Sequence, residues 1–194
     1  MQNDFSKGGI PRTIIRLSLP MIGAQVVNVL YNLVDRIFLG QLPGIGKSVL
    51  AGVGLTFPII SLVAAFAALA GEGGAPLLAI ARGSGDREGA QRLMGNALAL
   101  ELIFGVMLTI IGLIVMEPLL WAFGASADTF EHARDYLQIY LLGSIFVTIG
   151  LGMNPYINAQ GFAKIGMVAV LIGAVANIIL DAIFIYPLGM GVRG

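Results

Sequence analysis

Charged residues divide the chain into long apolar stretches, and the lengths of these stretches predict membrane-crossing helices. Leu17 to Val34 is a run of 18 uncharged residues, closed by Asp35 and Arg36 and followed by ten more uncharged positions, which predicts a first span over 14–39. Ser48 to Gly71 gives 24 uncharged residues, and beyond Glu72 the apolar character resumes to Ala81. About 20 residues suffice to cross the hydrocarbon core, so the second span is either long or broken near Gly71, Gly73 and Gly74. Leu93 to Met116 contains only Glu101 and predicts the third span. Tyr136 to Ala163 carries no charge, and its first part is the fourth span, ending near Asn154 and Pro155. Ile165 to Val192 contains only Asp181, which places a fifth span at about 166–185. The expected fold is an all-α polytopic membrane protein. An N-terminal segment, 1–13, precedes five spans over 14–185, and 186–194 trails outside.

Composition agrees with lipid as the solvent. Hydrophobic residues make up 57% and charged residues 11%, with mean hydropathy +0.90, whereas soluble domains are about 25% charged. Gln25, Asn28 and Asn32 interrupt the first span, while a cleaved signal peptide has a shorter, uniformly apolar core; the span is read as a retained helix. Net charge is zero, with 11 basic and 11 acidic residues. No polybasic surface is available for nucleic acid. Cysteine is absent and histidine occurs once, which excludes a disulfide framework, a thiolate metal site, a cysteine nucleophile and a multi-histidine zinc site. No cofactor is expected. The 27 glycines suit helices that approach closely in lipid.

Five spans put the chain ends on opposite sides. With the N-terminus inside, Lys7, Arg12, Arg16, Arg82, Arg87, Arg92 and Lys164 face the cytoplasm, against Arg36, Lys47, Arg134 and Arg193 outside. The excess of basic residues predicts a cytoplasmic N-terminus in the cell membrane. The connections 83–88 and 156–164 are then internal, and 41–47 and 117–128 external, with Trp121 and Phe123 suited to an external aromatic belt.

The polar positions inside the spans carry the candidate chemistry. At 100° per residue, Gln25, Asn28, Asn32 and Asp35 fall within an arc of about 80°, one polar stripe on an apolar helix. Asn177 and Asp181 lie four apart, on one face of the fifth span. A faint repeat links Asp35-Arg36-Ile37-Phe38-Leu39 to Asp181-Ala182-Ile183-Phe184-Ile185. Asp35 follows Arg16 and Asp181 follows Lys164 by about 28 and 26 Å of helix, so both carboxylates belong to the outer half of the bilayer. A carboxylate at the bilayer centre costs about 2.5 to 3.5 kcal/mol unless paired or hydrated. The economical arrangement brings the two faces together. Two carboxylates in one apolar pocket cannot both stay ionised cheaply, because desolvation and like-charge repulsion both favour the protonated acid. The pocket then takes a proton or a small metal cation, with amide oxygens from Asn28, Asn32 or Asn177 completing hard oxygen coordination. The alternative is interhelical glue, since such polar contacts often contribute only about 0.6 kcal/mol each.

Other positions are less specific. Pro20 removes a backbone hydrogen bond in the first span and predicts a kink, either a hinge or a fixed bend; Pro58 raises the same question in the second. Glu72 beside the glycines either lines a water-filled cavity or reaches the interface. Glu101, nine residues beyond Arg92, requires a partner that the sequence does not name, and Glu117 belongs at the membrane exit. Met21 and the other methionines make an adaptable drug pocket or fill gaps. Gly71-x-Gly73 and Gly83-x-Gly85 lack the strand and the Lys-Ser/Thr of a phosphate loop. His132, next to Glu131, is read as surface.

Taken in order, Pro20, then Tyr31-Asn32-Leu33-Val34-Asp35-Arg36-Ile37-Phe38-Leu39-Gly40 and Ala51-Gly52-Val53-Gly54-Leu55-Thr56-Phe57-Pro58 resemble the first two helices of the multidrug and toxic compound extrusion (MATE) family. Asn158-Ala159-Gln160-Gly161-Phe162-Ala163-Lys164-Ile165-Gly166-Met167 is similar to its loop between helices 4 and 5, and Asn177-Ile178-Ile179-Leu180-Asp181 to its helix 5. The resemblance implies a secondary antiporter that exports cationic or amphipathic compounds in exchange for protons or sodium. It further implies a twelve-helix fold of two six-helix lobes, a cation site at Asp35, Asn177 and Asp181, and bending at Pro20. Three positions depart from the family pattern: Ala182 replaces a common proline, Glu72 stands at an expected uncharged position, and the chain ends at Gly194, where the sixth helix of the lobe is expected to begin. On that expectation the C-terminal lobe is a missing partner. Three other readings remain open: a lipid-linked oligosaccharide flippase of the same superfamily, a structural membrane module, and an intramembrane aspartyl protease, although the Tyr-Asp and Gly-x-Gly-Asp signatures of that enzyme are absent.

Overall fold

In a computed structural model, residues 10–193 are described, and they form α1 (Ile10–Gly40), α2 (Gly46–Gly83), α3 (Arg87–Ala122), α4 (Ala127–Leu142), α5 (Ser144–Ala159) and α6 (Ala163–Ile185), followed by one 3-10 turn at Gly191–Arg193. Among the described residues four helices are long and apolar enough to cross a membrane, and α4 and α5, bent by 59° at their break, are long and apolar enough to do so as a pair. Lys7 and the first part of the 1–13 segment lie outside the described residues.

The second span is long, not broken. Gly71, Gly73 and Gly74 sit within the uninterrupted α2, and two of them serve helix contact. A Cβ on Gly71 would stand 2.6 Å from the Gly152 carbonyl oxygen of α5, and one on Gly74 would overlap the Tyr156 hydroxyl. Small residues let the two backbones meet where side chains would hold them apart.

The fourth span differs from its expected form. It begins at Ala127, upstream of the uncharged run and next to the expected 117–128 connection, where Ser126 caps it: the Ser126 N–H donates to Thr129 Oγ1 at 2.9 Å. It then breaks at Gly143. The Thr109 hydroxyl of α3 donates to the Leu141 carbonyl at 2.9 Å and lies 2.8 Å from Ser144 Oγ, so α3 supplies polar partners on both sides of the break. An apolar segment can bend in lipid only where its backbone groups find such partners.

The packing has two parts. Helices α2, α3, α4 and α5 form a bundle, and α1 packs along α6 at its side. Ile59, Val63, Leu108, Met116, Leu120, Leu137 and Leu141 fill the centre of the bundle. Leu78, Ala90, Ala97 and Tyr156 close one end, and Leu39, Val49, Val53 and Ile185 join the α1–α6 pair to α2 at the other. Apart from Pro20 and Leu39, the described side chains of α1 are half-buried or exposed. Exposed apolar residues such as Ile114 and Phe146 are the normal surface of a helix in lipid.

Candidate functional site

Packing of α1 along α6 brings Asp35 to the face that carries Asn177 and Asp181. The three line one cavity of about 180 Å³, completed by Tyr136, Ile139 and Tyr140 of α4, Leu39, Ile185, and Val192 and Arg193 of the terminal turn. Asp181 is buried, 6% exposed, and Asp35 and Asn177 are half-buried. The Asn177 amide donates to Asp181 Oδ1 at 3.2 Å. That leaves Asn177 Oδ1 and Asp181 Oδ2 buried without a hydrogen-bond partner among the described residues. Buried polar oxygens normally have one.

Nearby cations are engaged elsewhere. Arg36 turns onto α2, with its guanidinium carbon 4.5 Å from the centre of the Phe57 ring. Arg193 forms an ion pair with Asp135 at 2.8 Å on the rim. The result is a pocket of acid and amide oxygens in which, among the described residues, no lysine or arginine forms an ion pair with Asp35 or Asp181. Its donor set of two carboxylates and one amide oxygen matches a proton or a small hard monovalent cation. No group of three or more histidine, aspartate or glutamate ligands occurs among the described residues.

The polar stripe of α1 divides between two places. Asn32 gives its amide to Asn28, at 2.8 Å to the backbone oxygen and 2.9 Å to the side-chain oxygen. Gln25 and Asn28 line a second cavity of about 320 Å³, together with Met21, Glu72, Asn154, Asn158 and Met167. The stripe is therefore not one coordination shell: Asp35 alone reaches the first cavity. Glu72 is exposed and lines the second cavity from a regular helix, not from a glycine break. Asn158 donates to Asn154 Oδ1 at 3.0 Å. Pro20 is buried within α1, which continues through it.

Sequence reasoning missed Tyr136 and Tyr140 as cavity walls, and Asn154 with Asn158 as a polar pair. Both pairs are spaced i, i+4, and that spacing is the signal that could have found them. Which helix each pair faces depends on the bend at Gly143, which hydropathy does not encode.

The MatE family profile matches residues 20–183. The multidrug export protein MepA of Staphylococcus haemolyticus is 27% identical over 190 residues, covering 98% of this chain and 42% of its own. The FAD transporter of Shewanella oneidensis is 27% identical over 180 residues, covering 93% of this chain and 39% of its own. A crystal structure of MATE in the bent conformation superposes with TM-score 0.88 at 36% identity, over 96% of this chain and 41% of the other. The same fold in the straight conformation gives 0.87. The chain thus spans about two fifths of the length of the relatives it matches.

Proposed function

Because the chain belongs to the MATE family of membrane transporters, which are not enzymes, we propose that it supplies most of the N-terminal lobe of a cation-coupled exporter. Asp35, Asn177 and Asp181 exchange a proton or sodium ion, and a C-terminal lobe completes the carrier. The observation that carries this reading is the shared cavity in which Asp35 meets the Asn177–Asp181 pair, with two buried oxygens unpaired. Binding a cation there satisfies those oxygens and neutralises the carboxylates. An alternating-access carrier rocks one bundle against another about a site buried within the membrane.

The second cavity suits the exported compound. Amides from Gln25, Asn28, Asn154 and Asn158, the Glu72 carboxylate, and the adaptable Met21 and Met167 favour a cationic or amphipathic molecule. Pro20, one residue from that wall, acts as the bending point of α1. The N-terminus is cytoplasmic, in line with the distribution of basic residues.

A named relative transports FAD, so substrate charge is the discriminating variable. The test is uptake of ethidium or of FAD into proteoliposomes of the two-lobed transporter, driven by imposed proton or sodium gradients. Ethidium flux that depends on the gradient and falls in Glu72→Gln supports the reading. FAD flux without ethidium flux overturns the cationic substrate class, and gradient-independent flux overturns the coupling.

A further inference from the structure

Glu101 is the buried acid that the proposed transport cycle does not use. It lies on α3, lines neither cavity, and is 0% exposed. Neither of its carboxyl oxygens has a hydrogen-bond partner among the described residues. The opposing surface is shaped to it: a Cβ on Gly152 of α5 would overlap Glu101 Oε1. Gly152 belongs to a buried row, Ser144, Thr148, Gly152 and Tyr156, spaced every four residues along α5.

The polar groups of that row use their donors elsewhere. Thr148 donates to the Glu101 backbone oxygen at 3.0 Å, and Tyr156 to the Ala70 oxygen of α2 at 2.9 Å. Ser144 reaches the Gly105 oxygen at 3.2 Å. The ionisable groups on the packed elements supply no counter-charge. On α5 the titratable side chain is Tyr156, whose hydroxyl is engaged with α2. On α2, Glu72 is exposed to the second cavity. On α3, Arg92 pairs with Glu88 at 2.6 Å, and Glu117 pairs with Arg134 of α4 at 2.9 Å. An ionised carboxylate here would be a bare charge inside the bundle, a far larger cost than that of the neutral acid, which leaves only uncharged polar atoms unpaired.

We propose that Glu101 is a second proton-binding site of this lobe, separate from the Asp35–Asp181 cavity, and that neutralisation by this proton is what lets α3 pack closely on α5. The bound proton resides on one carboxyl oxygen, and loss of it to water requires α5 to move off α3. Because α5 also carries Asn154 and Asn158, that movement displaces a wall of the second cavity. The site stands independently of which compound or ion the transporter carries.

Infrared spectroscopy of the full chain in lipid nanodiscs, prepared with carboxyl-13C-labelled glutamate, tests this. A protonated-carboxyl C=O band at neutral pH is expected that moves with the label, persists in Glu72→Gln and in Asp35→Asn/Asp181→Asn, and is lost in Glu101→Gln. Absence of any label-sensitive acid band, or survival of the band in Glu101→Gln, overturns the proposal. Heat stability gives a second readout. A group that is neutral in the packed state and ionised in the unfolded chain loses its stabilisation as pH rises, so the wild-type melting temperature falls by several degrees relative to Glu101→Gln between acid and alkaline buffer. Parallel pH profiles overturn it. Should Glu101→Gln fail to fold, the labelled band of the Glu72→Gln protein decides alone, and its absence is the overturning result.

Discussion

The Asn177 side-chain amide donates to Asp181 Oδ1 at 3.2 Å, one helical turn further along α6. This bond orients both side chains and leaves an amide oxygen and a carboxylate oxygen unpaired beside Asp35. Two oxygens are thus held ready for a ligand that is itself a donor or a cation. Pure interhelical glue would have spent them on donors from α1 or α4.

Replacing Asn177 by leucine keeps approximate volume and apolar packing but removes the amide oxygen and the brace on Asp181. A hydrogen bond to a charged group contributes about 1.5 to 3 kcal/mol, and about 1.4 kcal/mol is a tenfold change in affinity. The sodium or proton concentration giving half-maximal transport is expected to rise about tenfold or more. Cation titration of transport in proteoliposomes checks this; an unchanged midpoint speaks for glue.

Gly71→Leu tests the contact between α2 and α5. The new side chain would begin 2.6 Å from the Gly152 carbonyl oxygen, and overpacking of this kind costs about 1 to 3 kcal/mol. Unfolding in mild detergent should shift to a lower temperature by roughly 2–4 °C for each kcal/mol. Gly73→Leu, where a Cβ meets nothing within 4 Å, should leave the transition in place.

Much of this architecture is legible in the sequence, because charge spacing reports where lipid ends. Asp35 and Asp181 stand out for the same reason: acids deep in apolar spans must find partners. The bend at Gly143 is not legible, since the hydropathy of 136–163 is continuous and the partners that stabilise the break, such as Thr109, come from another helix. The division of the polar stripe was hidden likewise. Its 80° arc is correct for one helix, but Asn32 turns back to Asn28, and Gln25 faces a cavity built from α2, α5 and α6. Glu101 was visible as an acid, while the glycine floor opposite it depends on the α3–α5 register.

Orientation is testable with single cysteines in the intact chain. Ser48 and Ser126 lie at opposite helix ends from Ser84. With a cytoplasmic N-terminus, cysteines at the first two react with an impermeant reagent applied to cells, and one at Ser84 does not. Labelling at Ser84 alone reverses the topology.

Pro20→Ala restores an N–H in the middle of α1 and allows a straighter helix. Transport is expected to slow several-fold while substrate binding is retained, as measured by initial efflux rate and equilibrium dye binding. Equal rates together with unchanged bending of α1 rule out a hinge at this position.

The central claim is that Asp35 and Asp181 form one cation site, and direct measurement of ion exchange on the purified two-lobed transporter tests it without reference to growth or folding. Substrate added to the detergent-solubilised protein in weakly buffered solution should release protons, or bound 22Na, in stoichiometric amount. Asp35→Asn and Asp181→Asn each keep side-chain volume and remove the ionisable group, so the account predicts that either change abolishes release while the protein remains inserted and monodisperse. Wild-type release of the coupled ion in either single variant would contradict it.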